Sequence, residues 1–297
     1  MFENLDLLHQ ANATLAEGPV WDDRLACIYW VDIRRCRIAR FETASMSQTG
    51  LWVTPNRPGC IGLTDDPGVL AVCHGADVSL LNTRSGTLSP LARLPIETPR
   101  YRANDGRVDC AGRLWVGTMI DDIHAPDSFS GGRLFAVGGD GTVTATDEDF
   151  ELPNGMSWSP DQTTFYINDT TAAKTYRYDF DAKAGRISNR AVLYDHSGGE
   201  GFPDGLSIDC EGNIWSAQWD GWNVRKISPS GELLQEIPMP VRRPSSAAFF
   251  GEGMDQIVIT SAAVDFTSDD FIKSPDAGSL FAMAAETQGL PEHRFAS

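Results

Sequence analysis

Positive charge is scarce in this chain. Its 297 residues include 24 lysines and arginines against 41 aspartates and glutamates, which gives a formal net charge of −17 at pH 7. Nucleic-acid binding requires a basic patch that neutralises phosphates, so the composition argues against that class of partner. The same field repels anionic substrates at long range unless a local metal ion or arginine reverses it. A neutral small molecule is therefore the easier ligand to bind.

Long apolar runs are also missing. No window approaches the ~20 apolar residues that a membrane-spanning helix needs. The N-terminal stretch MFENLDLLHQANATLAEGP contains acidic residues and has no continuous apolar core, so it does not resemble a signal peptide. We therefore expect a soluble, cytoplasmic protein that binds no membrane and has no obligate protein partner.

Several residue patterns that carry chemistry are absent. The cysteines form no CxxC pair, and several lie inside apolar strand patterns. We expect reduced thiols with a structural packing role at all six: Cys27, Cys36, Cys60, Cys73, Cys110 and Cys210. The histidines show no paired spacing, and we expect them at the surface or in loops: His9, His74, His124, His196 and His293. The chain has no Gly-x-Ser-x-Gly elbow, which excludes a serine nucleophile of the α/β-hydrolase type.

One β unit recurs six times along the chain. Each copy has a glycine-marked strand start, an acidic turn and a second strand of alternating apolar residues. The copies begin at Glu17, Gly59, Asn104, Asn154, Asp204 and Ser245. Successive starts lie roughly 41–50 residues apart, which is the length of a four-stranded propeller blade. The third and fifth copies agree best, with Asp-Cys-Ala-Gly at 109–112 against Asp-Cys-Glu-Gly at 209–212.

These repeats predict an all-β fold, a six-bladed propeller with four-stranded antiparallel blades around a central channel. No stretch has a 3.6-residue apolar period over twelve positions, so helix is expected to be minor. We expect one domain over residues 1–297, with the segment 5–15 completing the last blade and removing an exposed edge. A tandem of small β domains is the alternative, but no linker-like stretch supports it.

Polar side chains recur at the starts of the repeats. Alignment on the glycines places Glu17, Asp105, Asn154 and Asp204 directly before glycine, with Asn104 one position earlier. Inner strands line the channel of a propeller, so these positions should converge around the axis. The alternative is a set of ordinary turns, because Asn-Gly and Asp-Gly are common turn dipeptides. Glutamate is a poor turn former, and the acidic turns of the repeats follow the strand, which favours the channel.

Converging carboxylates repel one another unless a proton or a cation neutralises them. Glutamate, aspartate and asparagine all supply oxygen ligands, which hard divalent cations prefer. Three protein oxygens would leave coordination positions open to water and substrate, as a catalytic site requires. The pattern predicts one divalent metal ion, and Ca²⁺, Mn²⁺, Mg²⁺, Fe²⁺ and Zn²⁺ all suit such ligands.

Five segments together resemble the gluconolactonase/regucalcin (senescence-marker-protein) family. They are AEGPVW, RANDGRVDCAGRLWVGTM, LPNGMSWSPD, FPDGLSIDCEGNIW and VRRPSSAAFFGEGMDQIVITSA, and they follow in this order from Ala16 to Ala263. The resemblance implies a six-bladed propeller that holds one divalent metal ion in its channel. Members of this family hydrolyse sugar lactones, and different members are associated with different metals.

The resemblance also implies roles for single residues. It assigns the metal to Glu17, Asn154 and Asp204, the residues that the repeat alignment brings together. It implies that Arg102 and Asn104 hold the hydroxyls or the ring oxygen of the substrate. It places a further substrate contact near Asp121, and it gives no ligand role to Asp105, which we expect to fix its loop through backbone hydrogen bonds.

The predicted function is metal-dependent hydrolysis of a sugar (aldono-)lactone to the corresponding sugar acid. The metal ion would polarise the lactone carbonyl, and Asp204 would act as the general base toward water. Two alternatives stay open: hydrolysis of another activated ester or a phosphotriester on the same metal site, and a non-catalytic calcium-binding scaffold.

Overall fold

The described part of the chain folds into six β-sheets and one short helix. A computed structural model describes residues 5–128 and 130–297 of the chain. The first thirteen strands are β1 (Leu5–His9), β2 (Ala16–Asp22), β3 (Cys27–Asp32), β4 (Arg37–Glu42), β5 (Ser47–Val53), β6 (Pro58–Thr64), β7 (Val69–His74), β8 (Asp77–Asn82), β9 (Leu88–Arg93), β10 (Tyr101–Val108), β11 (Leu114–Ile120), β12 (Gly132–Val137) and β13 (Val143–Phe150). The later elements are β14 (Pro153–Trp158), β15 (Thr164–Asp169), β16 (Lys174–Asp181), β17 (Arg186–Asp195), β18 (Phe202–Ile208), β19 (Ile214–Trp219), β20 (Asn223–Ile227), β21 (Leu233–Pro238), β22 (Pro244–Phe250), β23 (Gln256–Ser261), α1 (Ser268–Lys273), β24 (Leu280–Ala284) and β25 (Arg294–Phe295).

The sheets are the six blades of a propeller, as the repeats predict. Blades 1 to 6 are β2–β5, β6–β9, β10–β13, β14–β17, β18–β21 and β22–β24 with β1. The strand that begins each repeat is the inner strand of its blade, and inner strands of neighbouring blades contact one another. Within the described residues, no helix is both long and apolar enough to cross a membrane.

The N-terminal strand completes the sixth blade. β1 pairs antiparallel with β24, and Leu5 lies opposite Met283. This confirms the predicted closure: strand pairing covers residues 5–9, and Leu15 forms an isolated bridge with Ala262. Residues 1–4 and 129, which fall within the predicted domain limits of 1–297, lie outside the described residues.

The C-terminal segment covers the end of the channel where the inner strands finish. β25 runs parallel to the last residues of β6, and Asp209 forms a bridge with Gly289. The Ala296 amide donates a 3.0 Å hydrogen bond to the Gly112 carbonyl. Phe295 is fully buried in the apolar cluster between blades 2 and 3. A cavity of about 20 Å³ remains beside this segment, and a much larger one lies at the opposite end of the channel, where the inner strands begin.

The acidic turns of the repeats are structural. Asp109 is fully buried and accepts hydrogen bonds from the amides of Ala111 (2.9 Å) and Arg113 (3.0 Å) and from Trp115 Nε1 (2.8 Å). Asp209 makes the equivalent bonds to groups two, four and six residues further along. Each aspartate thus ties a turn to the indole of the following strand, which explains why the third and fifth repeats agree so well.

The polar starts of the repeats lie in β-bulges. All six inner strands shift register near their first residues: between Glu17 and Val20, Pro58 and Cys60, Ala103 and Gly106, Pro153 and Met156, Pro203 and Leu206, and Pro244 and Ser246. A bulge re-aims a side chain within a strand and is frequent next to active sites. The Asn-Gly and Asp-Gly pairs are therefore parts of strands, and the ordinary-turn alternative is wrong.

Glycine is required in two of these bulges by close packing. A Cβ atom on Gly155 would lie 2.2 Å from the backbone nitrogen of Leu206, and one on Gly205 would lie 2.1 Å from Ser246 Oγ. Neither glycine has a positive φ. The glycines therefore serve the contact between neighbouring inner strands, where any side chain would push two blades apart.

Two expectations about single residue types are corrected by the structure. Cys27, Cys60 and Cys73 are buried as expected, but Cys110 and Cys210 are exposed, because each follows a buried aspartate in a turn that faces outward. Two histidines are also buried against the expectation of surface positions. His74 contacts Ser79 Oγ at 3.1 Å, and His196 joins a buried polar chain that is described below.

Loss of the C-terminal plug should destabilise the propeller. We expect Phe295→Ala to lower the free energy of unfolding by about 3–5 kcal/mol, because a fully buried aromatic side chain leaves a cavity between two blades. Leu7→Ala is the control, since Leu7 is 46% exposed on β1. Urea denaturation measures both. Equal, small effects of the two substitutions would show that the C-terminal segment is not part of the core.

Candidate active site

A cavity of about 360 Å³ opens at the end of the channel where the inner strands begin. Its polar wall consists of Glu17, Arg34, Arg102, Asn104, Asn154, Thr170, Thr171, Asp204 and Asp220. Its apolar wall consists of Leu15, Ile33, Met119, Ile123, Leu152, Phe202, Trp219 and Val264. Apolar walls with a few convergent polar groups are typical of small-molecule sites.

The three predicted metal ligands line this cavity together. Glu17, Asn154 and Asp204 are only 8%, 7% and 4% exposed. The Gly18 amide donates to Glu17 Oε2 at 3.2 Å. Asn154 Nδ2 donates to Thr170 Oγ1 at 3.0 Å, which orients the amide group. Three blades therefore each supply one buried oxygen-bearing side chain to the same space.

The acidic groups of the cavity oppose each other electrostatically. Burial raises the pKa of Glu17 well above its usual range, and the charges of Asp204 and Asp105 raise it further. Burial also raises the pKa of Asp204, with Asp105 adding to it and hydrogen bonds from Glu17 and Asn154 opposing it. Carboxylates this close cannot all be charged unless a cation compensates them.

These residues suit a hard divalent cation by their chemistry. Carboxylate and amide oxygens are its preferred ligands, and a cation would relieve the repulsion between the buried acids. Among residues 5–128 and 130–297, no group of three or more His, Cys, Asp or Glu side chains is arranged to hold a metal ion. Glu17, Asn154 and Asp204 supply two carboxylates and one amide, so they are not a group of three such side chains.

Asp105 lies close enough to Glu17 and Asp204 for its charge to act on both, and it also holds its own loop. Its Oδ1 accepts a 2.7 Å hydrogen bond from the Gly106 amide. Burial raises its pKa to about 6, while this hydrogen bond and Arg107 lower it. The loop contact agrees with the loop-fixing interpretation, and Asp105 is not among the residues that line the cavity.

Arg102 and Asn104 form one hydrogen-bonded unit in the cavity wall. Arg102 Nη1 donates to the Ala103 carbonyl at 2.7 Å and to Asn104 Oδ1 at 3.3 Å. Asn104 Nδ2 donates to the Pro153 carbonyl at 3.2 Å. Both side chains are buried, so their orientation is set by protein contacts before any ligand arrives.

Asp121, the third predicted substrate-binding residue, lies behind this wall. It is not among the residues that line the cavity. Its Oδ1 accepts from Arg57 Nη1 at 2.6 Å and lies 3.0 Å from Arg102 Nε. Its observed contacts are with arginines, so it orients Arg102 and does not itself face the cavity.

A buried polar chain that the sequence did not reveal holds the backbone of Asp204. Asn168 Nδ2 donates to the Asp204 carbonyl at 2.7 Å and to Ser216 Oγ at 3.0 Å. Thr175 Oγ1 donates to Asn168 Oδ1 at 2.6 Å, and His196 Nε2 lies 2.9 Å from Thr175 Oγ1. The partners come from two blades, so no local motif marks them in the sequence.

His196 ends this chain as a neutral imidazole. The Thr175 hydroxyl is committed to Asn168, so His196 Nε2 carries the proton and donates to Thr175. His196 Nδ1 lies 3.1 Å from Arg225 Nη1, which donates to it, and 3.1 Å from Gln218 Oε1. Burial lowers the pKa of His196 to about 3, with the Arg225 charge adding to it, and Gln218 and Asp195 opposing it.

Comparison with known proteins places these residues in a family context. A family model described as "SMP-30/Gluconolactonase/LRE-like region" matches residues 15–263. The chain is 33% identical over 297 residues to a 6-deoxy-6-sulfogluconolactonase of Pseudomonas putida, covering 100% of both chains. It is 34% identical over 287 residues to the pentonolactonase XacC of Haloferax volcanii, covering 94% of each. A solved structure of a calcium-binding protein, regucalcin, from Agrobacterium tumefaciens superposes with a TM-score of 0.93 at 27% identity, covering 100% of this chain and 98% of that one.

The polar chain beneath Asp204 should contribute to stability. We expect Asn168→Ala to lower the free energy of unfolding by about 1–3 kcal/mol, because the fully buried Asp204 carbonyl and Thr175 hydroxyl lose their partner. Asn56→Ala is the control, since Asn56 is exposed. Urea denaturation compares the two. A cost within error of the control would mean that water replaces the missing amide without penalty.

His196 should make stability depend on pH. The unfolded chain protonates this histidine below about pH 6.5, whereas the folded protein keeps it neutral down to about 3. The unfolded state thus binds the extra proton, and stability falls as the pH decreases through this window, by up to about 1.4 kcal/mol per pH unit. Denaturation at pH 7 and at pH 4.5 should show a smaller loss for His196→Gln than for the unaltered protein. The exposed His124, replaced by Gln, is the control, and the same loss in all three proteins would contradict the assignment.

Proposed function

This chain belongs to the SMP-30/gluconolactonase/LRE-like family, and we propose that it is a metal-dependent sugar lactonase. The reaction opens an aldonolactone to the corresponding sugar acid. Names of full-length relatives at 33% and 34% identity support lactone hydrolysis. The observation that carries the proposal is the convergence of Glu17, Asn154 and Asp204, each from a different blade, in one buried cavity.

Each of the three side chains has a distinct part in the proposed site. A divalent cation held by Glu17, Asn154 and Asp204 supplies Lewis acidity toward the lactone carbonyl oxygen. Glu17 balances charge and is kept in place by the Gly18 amide. Asn154 is a neutral ligand oriented by Thr170, so the site carries less negative charge than three carboxylates would. The solved regucalcin is described as calcium-binding, and for this chain the ion stays one of Ca²⁺, Mg²⁺, Mn²⁺, Fe²⁺ or Zn²⁺.

Asp204 is the proposed general base. It accepts a proton from the attacking water as the water oxygen bonds to the carbonyl carbon, and the proton then passes to the ring oxygen when the C–O bond of the ring breaks. Asn168 fixes the backbone of Asp204 from below, so its carboxylate keeps a constant position in the cavity. Positioning of this kind is as important as basicity, because proton transfer requires hydrogen-bond distance.

Arg102 and Asn104 are proposed to orient the hydroxyl groups of the substrate. Protein contacts hold both side chains before binding, so little side-chain entropy is lost on binding. This polar pair favours a hydroxyl-rich lactone over an apolar activated ester. A cavity of about 360 Å³ is large enough for a small molecule, which favours an enzyme over a non-catalytic scaffold.

All six cysteines are free, which agrees with a cytoplasmic location for the proposed reaction.

Removal of the proposed base should abolish turnover but not folding. We expect Asp204→Asn to lower kcat for lactone hydrolysis by at least about 100-fold, the lower limit of general-base contributions. Some metal affinity should remain, because an amide oxygen still ligates. Asp269→Asn is the control, since Asp269 is exposed in the first turn of α1. Near-normal turnover of the Asp204 variant in a pH-indicator assay would remove it as the base.

The same pH-indicator assay tests whether lactone hydrolysis depends on a metal ion. The protein is stripped with a chelator and resupplied with single divalent cations, across pentono- and hexonolactones. We expect turnover to return with at least one cation, and Glu17→Ala and Asn154→Ala to weaken the affinity for that cation in calorimetry. Unchanged affinity in both variants would place the metal elsewhere, and no acceleration over the spontaneous rate with any cation would overturn the lactonase proposal.

A further inference from the structure

Two arginines pair with a single carboxylate beside the cavity, and a third arginine lies near one of them. Arg57 Nη1 lies 2.6 Å from Asp121 Oδ1, and Arg102 Nε lies 3.0 Å from the same oxygen. Arg34 lines the cavity together with Arg102. Three guanidinium groups against one carboxylate leave two positive charges at this wall. This is a local reversal of sign in a chain whose net charge is −17.

Arg34 is the unpaired member of this group. Its Nε is buried and has no hydrogen-bond partner within residues 5–128 and 130–297, and no ion pair of Arg34 is present there either. Of the acids that line the cavity, Glu17 and Asp204 belong to the proposed metal site, and Asp220 is the third. That carboxylate is taken by Arg242 (2.8 Å) and Arg243 (2.7 Å). A buried guanidinium N–H without an acceptor is costly, so a ligand group is the natural partner.

The turn between β3 and β4 holds Arg34 in this position. Asp32 accepts hydrogen bonds from the amides of Thr14 (3.1 Å) and Leu15 (3.2 Å), and the Ile33 amide donates to the Leu15 carbonyl (3.0 Å). The next residue, Arg35, is directed away from the cavity. It is exposed, and its Nη1 donates to the Asn12 carbonyl at 2.6 Å. The two adjacent arginines therefore differ in two respects. Arg34 lines the cavity and Arg35 does not, and Arg35 has a hydrogen-bond partner whereas Arg34 has none among the described residues.

The charges of Arg57 and Arg34 both act on Arg102. Burial lowers the pKa of Arg102 to about 10, and the charges of Arg57 and Arg34 lower it further, against the opposing effect of Asp121. A bound anion would relieve this repulsion. Guanidinium groups bind carboxylate, sulfonate and phosphate oxygens through two parallel N–H donors, so one arginine with free N–H groups suits any of these.

We propose that Arg34, supported by Arg102, binds an anionic group of the substrate, so that the natural lactone is that of an acidic sugar. The inference rests on the proposed lactonase function and specifies its substrate class. The anion would be a carboxylate, sulfonate or phosphate on the carbon chain, away from the lactone carbonyl. The net negative charge of the protein favours neutral ligands at long range, and the Arg34 wall reverses that preference inside the cavity.

Matched lactones test the proposal. Hydrolysis of glucono-1,5-lactone is compared with that of its 6-phospho, 6-deoxy-6-sulfo and 6-carboxylate counterparts, which separates the three anions. We expect at least one anionic lactone to have the higher kcat/KM. Arg34→Gln should lower kcat/KM for that substrate by about 10- to 100-fold, mainly through KM, as expected for a lost charge-assisted hydrogen bond. The neutral lactone should change by less than about threefold, and Arg34→Lys should retain part of the preference.

Arg35→Gln is the matched control, because it removes the same charge from the same turn without touching the cavity. Equal losses in the Arg34 and Arg35 variants would mean that only long-range charge matters, which overturns the proposal. A preference for the neutral lactone, unchanged in Arg34→Gln, would overturn it while leaving the lactonase function intact.

A binding measurement distinguishes a failure of the anion-site proposal from a failure of the lactonase proposal. Calorimetry with 6-phosphogluconate, 6-deoxy-6-sulfogluconate, glucarate and gluconate on the metal-loaded protein requires no turnover. Tighter binding of an acidic probe than of gluconate, lost in Arg34→Gln and kept in Arg35→Gln, supports the anion site even if no lactone is hydrolysed. Equal binding of all four probes would overturn the anion site, whatever the hydrolysis assay shows.

Discussion

Backbone contact between the inner strands is the constraint on which this structure depends. Six strands meet around one axis, and Gly155 and Gly205 allow neighbouring strands to approach so closely that no side chain fits between them. The bulge that accommodates each contact also turns the preceding side chain toward the axis. Blade packing and site formation are thus two results of one backbone feature. The same short sequences, Pro-Asn-Gly and Pro-Asp-Gly, serve both.

The carboxylates that these bulges bring together repel one another in a buried site. Burial raises the pKa of Glu17, Asp105 and Asp204. Repulsion from neighbouring carboxylates raises the pKa of Glu17 and Asp204 further. The same cavity is also lined by the positive side chains of Arg34 and Arg102. The structure holds both groups by backbone anchors, such as the Asn168 bond to the Asp204 carbonyl. A substrate that brings an anion to one wall and a carbonyl to the other would match this polarity.

Much of this arrangement was predictable, because repeats report equivalent positions. The six copies indicated the blades, the inner strands and the convergence of Glu17, Asn154 and Asp204 without any structural information. Other features depend on partners that are far apart in the chain. Asp121 became a partner of Arg57, which is 64 residues away. His196 became a buried group only because Thr175 and Arg225 enclose it. Nothing near these residues in the sequence indicates such neighbours.

The sequence by itself determined the architecture and the chemistry of the ligand set, because a β repeat with a constant period can bury its apolar face only by packing against further copies. It also determined which oxygen-bearing side chains stand at the repeat starts. Tertiary structure decided what each charge meets. Arg34 and Arg35 are neighbours with the same side chain, yet one donates to the Asn12 carbonyl and the other faces the cavity without a partner. A difference of this kind arises from the direction of a turn relative to other blades, and that direction exists only once the ring has closed.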